Sequence, residues 1–367
     1  MLEEINSILD QIIKEGKLGS DFSFRPMQRE TITAICKAYF EDPQATIVID
    51  APTGTGKSII AMASSLVLSM LDKKGYMITS DLSLQDQYES DFYRLGLHWP
   101  SVKGVDNYEC SVNGLPFSLG DCRLKAMSYE QASKLECYGN CQYLQNRERA
   151  INHRVTLLNY AFWLLQRNYV EDQRAEEGGS PFEQRDFAFF DEAHKVDEIV
   201  QNHFSPRIDT TISAKIQVVN SFLTKWGFSE PKVTKARIET VIYALMQETD
   251  KNEIFKNMKY LKHFLGEYKS MGNEIKNAAK KRFSTSSVPR DWQTAMTSID
   301  RIKDVYCKFD DYIDIIDEVG LDKMVVDQRQ EEAVFTCIEE QWLIRKHLHA
   351  KANFKVFMSA TIGDPAS

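Results

Sequence analysis

The sequence predicts an α/β protein organised on a mainly parallel sheet and interrupted by two insertions. Three observations predict it. Short apolar runs of strand length alternate with helical patterns through the first half of the chain. The first run empties into a glycine-rich loop that opens a helix, and a later run ends directly in two adjacent acids, Asp191 and Glu192.

Taken in order, Ala45 to Asp50 is apolar and β-branched and runs into Pro52, Thr53, Gly54, Thr55 and Gly56, as a buried strand feeding a phosphate loop should. Ser58 to Leu71 follows as a helix, apolar nearly all round, which stops at a basic last turn and a glycine exit, Lys73, Lys74 and Gly75. Tyr76 to Thr79 is a second strand and completes a β-α-β unit. Val155 to Leu158 and Phe187 to Phe190 are two further buried strands. Between the second and third strands, 104–152 is polar, cysteine-bearing and without periodicity, so it reads as an insert held by metal rather than by a core. From Ser205 to Arg345 the texture becomes long charged helical patterns, such as Lys235 to Met246 and Ile254 to Tyr268, with almost no strand signal. Phe354 to Ile362 is again strand-like and is expected to rejoin the sheet. Arg174 to Gly179 reads as an exposed loop. The segments are therefore 1–103, 153–204 and 346–367 for the sheet, with inserts at 104–152 and 205–345.

Composition narrows the class. With 43% hydrophobic and 27% charged residues and no apolar run of about 18, the chain reads as a soluble globular protein with no membrane span. Met1 to Ser20 is acidic and helix-patterned and lacks the basic start of a secretory signal, which implies a cytoplasmic protein. A net charge of -8 gives no general attraction for a polyanion, so any nucleic-acid contact must come from a local basic groove. Lys269, Lys276, Lys280, Lys281, Arg282 and Arg290 are a candidate for such a contact, although a run of this kind is usually a solvated face.

Ala51 to Ser58 matches the P-loop pattern except that Ala51 stands at the first glycine, a change tolerated where that position needs no positive φ. Small residues let successive N–H groups curl round a β-phosphate, Lys57 reaches the β and γ oxygens, and the Ser58 hydroxyl ligates magnesium at the helix N-terminus. Asp191 at the end of its strand is placed to hold the same magnesium, with Glu192 beside it to orient or deprotonate the attacking water. This predicts ATP and Mg2+ meeting where the ends of two neighbouring strands come together. His194 takes a coupling or packing role.

Seven cysteines fit a reducing compartment, and four of them, Cys110, Cys122, Cys137 and Cys141, are spaced C-x11-C-x14-C-x3-C. Four soft thiolates suit zinc or an iron-sulfur cluster; the spacing has one short pair where a zinc ribbon shows two.

These motifs resemble the XPD/DinG family of superfamily-two iron-sulfur helicases. Phe24 to Gln28, with Arg25 and Gln28, looks like that family's adenine-reading segment. Lys57-Ser58 and Asp191 to His194 look like its first and second motifs, and Ser359-Ala360-Thr361 like its third. Thr79 to Gln87, with Ser80 and Gln85, is similar to the segment that touches the strand backbone. Leu158-Asn159-Tyr160 resembles its Asn-His pair, with Tyr160 replacing histidine. Lys103 to Cys110, with Asn107 and Tyr108, resembles the approach to the first cluster ligand.

The resemblance implies a RecA-like P-loop NTPase domain with a parallel sheet, a small cysteine-cluster insert and an all-helical arch insert. It further implies a 4Fe-4S cluster on the four cysteines, base stacking by Tyr108, and single-stranded DNA contacts through Ser80, Gln85 and Asn159. ATP hydrolysis would drive 5′ to 3′ translocation, in the setting of DNA repair. The family's second motor domain follows the Ser-Ala-Thr segment, so hydrolysis is expected to be impaired unless that domain or a protein partner completes the site. Two other functions fit the same residues: a non-hydrolysing module that grips single strands, and a redox sensor in which cluster loss switches DNA affinity.

Overall fold

A computed structural model of the protein describes residues 2–19, 22–52, 54–165, 182–284, 286–348 and 352–360. The chain divides into two compact units, one of Met1–Gly104, Gln142–Val200 and Gln341–Ser367, the other of Val105–Cys141 and Gln201–Glu340.

In the first unit the apolar runs become β1 (Thr46–Asp50), β2 (Gly75–Thr79), β3 (Val155–Asn159) and β4 (Arg185–Phe190). Each is short and β-branched or aromatic, so its backbone groups can be buried only by pairing. The last strand-like segment, Ala352–Ser359, joins the same sheet; it is β8, because β5 (Arg207–Asp209), β6 (Met324–Gln328) and β7 (Glu332–Cys337) precede it in the other unit. The sheet order is β1-β8-β4-β2-β3, and every pairing is parallel. β2 and β3 are buried along their whole length, as expected for parallel strands covered on both faces.

One expectation is corrected here. The strands before the phosphate loop and before Asp191 are not neighbours, because β8 lies between them. Sequence order cannot reveal this, since the inserted strand arrives from far along the chain.

Register fixes where the loops emerge. Asp50 pairs with Ser359, Phe190 with Phe357 and with Ile78, and Thr79 with Asn159, so the carboxyl ends of all five strands form one edge. Every motif of the first unit except Arg25 and Gln28 leaves from that edge, the usual ligand-binding side of an open α/β sheet. On the face of the sheet lie α1 (Leu2–Lys14), α2 (Pro26–Glu41) and α3 (Lys57–Met70), with Ile5, Leu9, Ile12, Ile60 and Val67 in a common core with Phe187, Val356 and Met358. α3 is buried from Ile60 to Ser69, which explains why its sequence is apolar nearly all round.

The second unit is built on long helices. Lys251–Arg282 and Arg290–Val319 run to 32 and 30 residues, and Thr211–Trp226 and Lys235–Gln247 complete the group. Trp292 is fully buried and meets Phe222, Phe283 and Trp226 at centroid distances of 5.1, 5.1 and 5.4 Å, mostly edge-on. Each such pair contributes about 0.5–1.5 kcal/mol beyond area burial. The region 205–345 is not wholly helical, a second correction: β5, β7 and β6 form a three-stranded antiparallel sheet. β7 buries alternate residues, Ala333, Phe335 and Cys337, but its hairpin turns through Arg329, Gln330 and Glu331. That turn lacks the Gly, Asn or Pro that announces a hairpin in sequence.

Candidate nucleotide and metal sites

The loop between β1 and α3 owes its shape to two glycines with positive φ, Gly54 at 83° and Gly56 at 85°. Ala51 has no such conformation; its N–H simply extends the sheet pairing to the Ser359 carbonyl at 2.8 Å, so the missing first glycine costs nothing. Gly56 is doubly required, because a Cβ there would stand 2.3 Å from Gln28 Nε2. Lys57 and Ser58 begin α3, and Lys57 Nζ donates to the Ala51 carbonyl at 3.4 Å. Thr55 Oγ1 donates to the Pro52 carbonyl at 2.8 Å. Thr53 lies outside the described residues, as do Thr361 and the Arg174 to Gly179 loop.

Arg25 and Gln28 are drawn to this loop. Arg25 Nη1 donates to the Gly54 carbonyl at 2.7 Å, Gln28 Nε2 to the Thr55 carbonyl at 2.8 Å, and Gln28 Oε1 accepts from the Arg25 backbone N–H at 3.1 Å. Gln28 is buried and Arg25 exposed. Both side chains brace this loop through its carbonyls.

At the end of β4, Asp191 is 5% exposed and held from three sides. Its Oδ2 accepts from Tyr88 OH at 2.8 Å, its Oδ1 from the Glu192 N–H at 2.9 Å, and its carbonyl from Tyr160 OH at 3.1 Å. Burial pushes its carboxyl above the usual carboxylate range, while the Tyr88 and Glu192 hydrogen bonds and the charge of Lys57 pull the other way. The influence of Lys57 ties the loop and the acidic box into one electrostatic neighbourhood. Glu192 turns sharply with φ 52°, and its Oε2 lies 3.2 Å from His194 Nδ1, which also meets Ser359 Oγ at 2.8 Å. His194 therefore links the acidic box to the end of β8.

Two expected strand contacts are turned inward. Gln85, on α4 (Leu82–Arg94), is fully buried and Asn159 is 6% exposed. Asn159 Nδ2 donates to Gln85 Oε1 at 2.9 Å, Gln85 Nε2 to Ser101 Oγ and the Val102 carbonyl, and Asn159 Oδ1 accepts the Phe162 N–H. Both side chains are thus committed to packing and hydrogen bonds inside the unit. Ser80 stays at the surface, donating to Asp81, which caps α4. Tyr108, expected to stack on a base, is buried, so its ring face is not offered to solvent. The residue that motif reading missed is Tyr88. Its only sequence signal is the spacing Gln85, Tyr88, Phe92 on the buried face of a helix, which marks a core position and says nothing about its hydroxyl.

In the second unit Cys110, Cys122 and Cys137 line one cavity of about 730 Å³ with Lys125 and the loop serines Ser284, Ser286 and Ser287. Cys110 and Cys141 are buried; all four are free thiols. Burial pushes the Cys122 thiol up to about 11, and the nearby Cys110, Cys141 and Cys137 push it further the same way, which locates the four in one neighbourhood. Gly120 lets the chain pass tightly over the first of them, since a Cβ there would come within 3.2 Å of Cys110 Sγ. Among the described residues no three Cys, His, Asp or Glu side chains converge closely enough to hold a single metal ion. Lys125, 5% exposed, donates to Asp121 Oδ2 at 3.3 Å and to the Ser286 carbonyl at 3.0 Å.

The basic run of this unit is mostly committed already. Lys276 pairs with Asp300 at 2.7 Å, Lys280 donates to Gln131 at 2.9 Å, and Lys269 and Arg282 sit over the rings of Tyr306 and Trp226. Lys281 and Arg290 are exposed.

Comparison with known proteins agrees with the sheet and its loop. The family described as "Type III restriction enzyme, res subunit" matches residues 21–218, more than half the chain. No curated protein matches. A solved structure of an XPD helicase superposes with a TM-score of 0.51 at 12% identity, covering 94% of this chain and 59% of that one. A truncated XPD gives 0.50 at 12%, covering 93% and 95%, and S. tokodaii Xpd4 gives 0.47 at 13%, covering 93% and 58%. The fold is the one the XPD helicase and truncated XPD structures share, and the chain spans about three fifths of the length of the longer matches.

Proposed function

The chain belongs to the type III restriction enzyme res subunit family, and from that premise we propose that it is the ATP-hydrolysing part of an XPD/DinG-type DNA helicase. The observations that support this reading are that Lys57 and Ser58 open α3 after β1, that Asp191 follows β4 at the same carboxyl edge of the parallel sheet, and that the charge of Lys57 acts on Asp191. Lys57 neutralises the β and γ oxygens of the triphosphate, and the α3 N-terminus adds its dipole. Ser58 and Asp191 would hold Mg2+, which when bound draws charge from the transferring phosphoryl group. Glu192 orients the attacking water, with His194 carrying the state of the site to Ser359 and β8. Thr53 would add to the loop, and Arg25 and Gln28 hold it in shape beside the base.

The cysteines fit the cluster half of the reading. Four thiols share one neighbourhood, and four soft thiolates suit zinc or an iron-sulfur cluster, of which the motif spacing favours the cluster. Cys110, Cys122, Cys137 and Cys141 would hold a 4Fe-4S group that acts as a structural staple for 105–141. Single-stranded DNA is the proposed partner, with Ser80 at the mouth of the strand path and translocation running 5′ to 3′. A second motor domain, in this chain's continuation or in a partner, would supply the arginine that accelerates hydrolysis by about 10³ to 10⁵. A cytoplasmic location accords with the thiol chemistry; among the described residues no helix is long and apolar enough to cross a membrane.

An ATPase assay with and without single-stranded DNA tests the reading. Slow Mg2+-dependent turnover that single strands accelerate is expected. Turnover that ignores both DNA and Mg2+ would exclude a helicase motor.

A further inference from the structure

Tyr88 stands where no motif assigns a role. It is 1% exposed, on the buried face of α4, with its ring edge-on to Phe92 at 6.1 Å. A phenol so deeply buried must satisfy its hydroxyl, and this one does so by donating to Asp191 Oδ2 at 2.8 Å, with the Ser58 side chain nearby. Its hydrogen-bond partner is thus the acid proposed to bind magnesium, and the Ser58 hydroxyl proposed to share that ion lies nearby. The rest of Asp191 is fixed as well: the Glu192 N–H holds Oδ1 and Tyr160 holds the carbonyl. Without Tyr88, one carboxylate oxygen has no protein donor among these contacts.

Resting on the nucleotide-site reading, we propose that Tyr88 is a positioning residue for magnesium, holding the Asp191 carboxylate in place before the ion arrives. Hydrogen-bond partners of metal ligands set ligand orientation, and their loss typically costs 10- to 100-fold in metal affinity. The chemistry requires a neutral donor of this length: phenylalanine keeps the packing and removes only the hydroxyl.

The test is a Mg2+ titration followed by binding of a fluorescent ATP analogue to the intact chain, compared with Tyr88→Phe. The half-saturating Mg2+ concentration should rise about 10- to 100-fold, while analogue affinity in EDTA stays within about twofold, a split that a general loss of packing does not produce. Phe92→Leu is the packing control and should leave the Mg2+ dependence unchanged. If Tyr88→Phe does not fold, Tyr88→Met lacks the same hydroxyl and adapts to the cavity. An unchanged Mg2+ requirement in the folded Tyr88 variant, or an equal shift in Phe92→Leu, overturns the proposal while leaving the nucleotide site intact. A wild-type chain that binds no analogue with Mg2+ present removes the nucleotide reading and this inference together.

Discussion

The phosphate loop and the cysteine cavity are both assembled from short polar segments, yet they reach their geometry by different routes. In the sheet unit, strand register brings the chain ends to one edge, and positive-φ glycines, a helix start and hydrogen bonds to Asp191 set each group in place. In the helical unit three of the four thiols, Cys110, Cys122 and Cys137, line a cavity, but the arrangement of the four is left to turns such as Cys110 N–H to Leu115 and Cys141 N–H to Tyr138. A site dictated by backbone architecture is built in advance; a site dictated by the group it holds is completed by that group.

That contrast can be broken most forcefully at Lys57. Lys57→Ala should lower ATP turnover by about two to three orders of magnitude, as removal of one preorganised charge-stabilising group does, whereas Cys137→Ser should leave Mg-nucleotide binding within about twofold. Steady-state kinetics on both variants checks this, and a large nucleotide defect in Cys137→Ser would mean that the two sites are not separately built.

The converse experiment sharpens the other side. Cys137→Ser should lose iron and sulfide together, and hydrogen exchange in 105–141 should accelerate by about tenfold or more while the amides of β2 and β3 keep their protection. A protein carrying stoichiometric zinc and no sulfide would replace the cluster in this account.

A smaller effect is expected at Gly56. Alanine there must adopt φ near 85° and displace Gln28, a strain of about 1–3 kcal/mol, which calorimetry should register as a fall of roughly 2–4 °C in the unfolding midpoint. The smallest effect belongs to the basic run. Because Lys280 is engaged with Gln131 in its own unit and, among the described residues, only Lys281 of the two is uncommitted, Lys280→Glu with Lys281→Glu should change the salt slope of single-strand binding by no more than about one phosphate contact. A steeper change would make that helix end a strand-gripping surface.

The same contrast explains what the sequence disclosed. β1, α3, β2 and β4 were legible because apolar run length and glycine punctuation are local properties, and the loop chemistry of Lys57 and Ser58 is tied to that local frame. The place of β8 between β1 and β4 was not, because strand order is decided by pairings distant in sequence. Gln85 and Asn159 misled for a related reason: a polar side chain reads as exposed until its partner is known, and here each is the other's partner. Tyr88 went unnoticed because its ring obeys the core pattern while its hydroxyl reaches Asp191. β6 and β7 were hidden in a helical texture by a turn without turn residues.

Calorimetric titration of ATP into the intact chain, with and without Mg2+, alongside Asp191→Asn, tests the central claim most directly. The account predicts that Mg2+ strengthens binding to the wild-type chain and that the Asp191 variant loses that gain while retaining the weaker metal-free binding. Equal enhancement by Mg2+ in both proteins would contradict it.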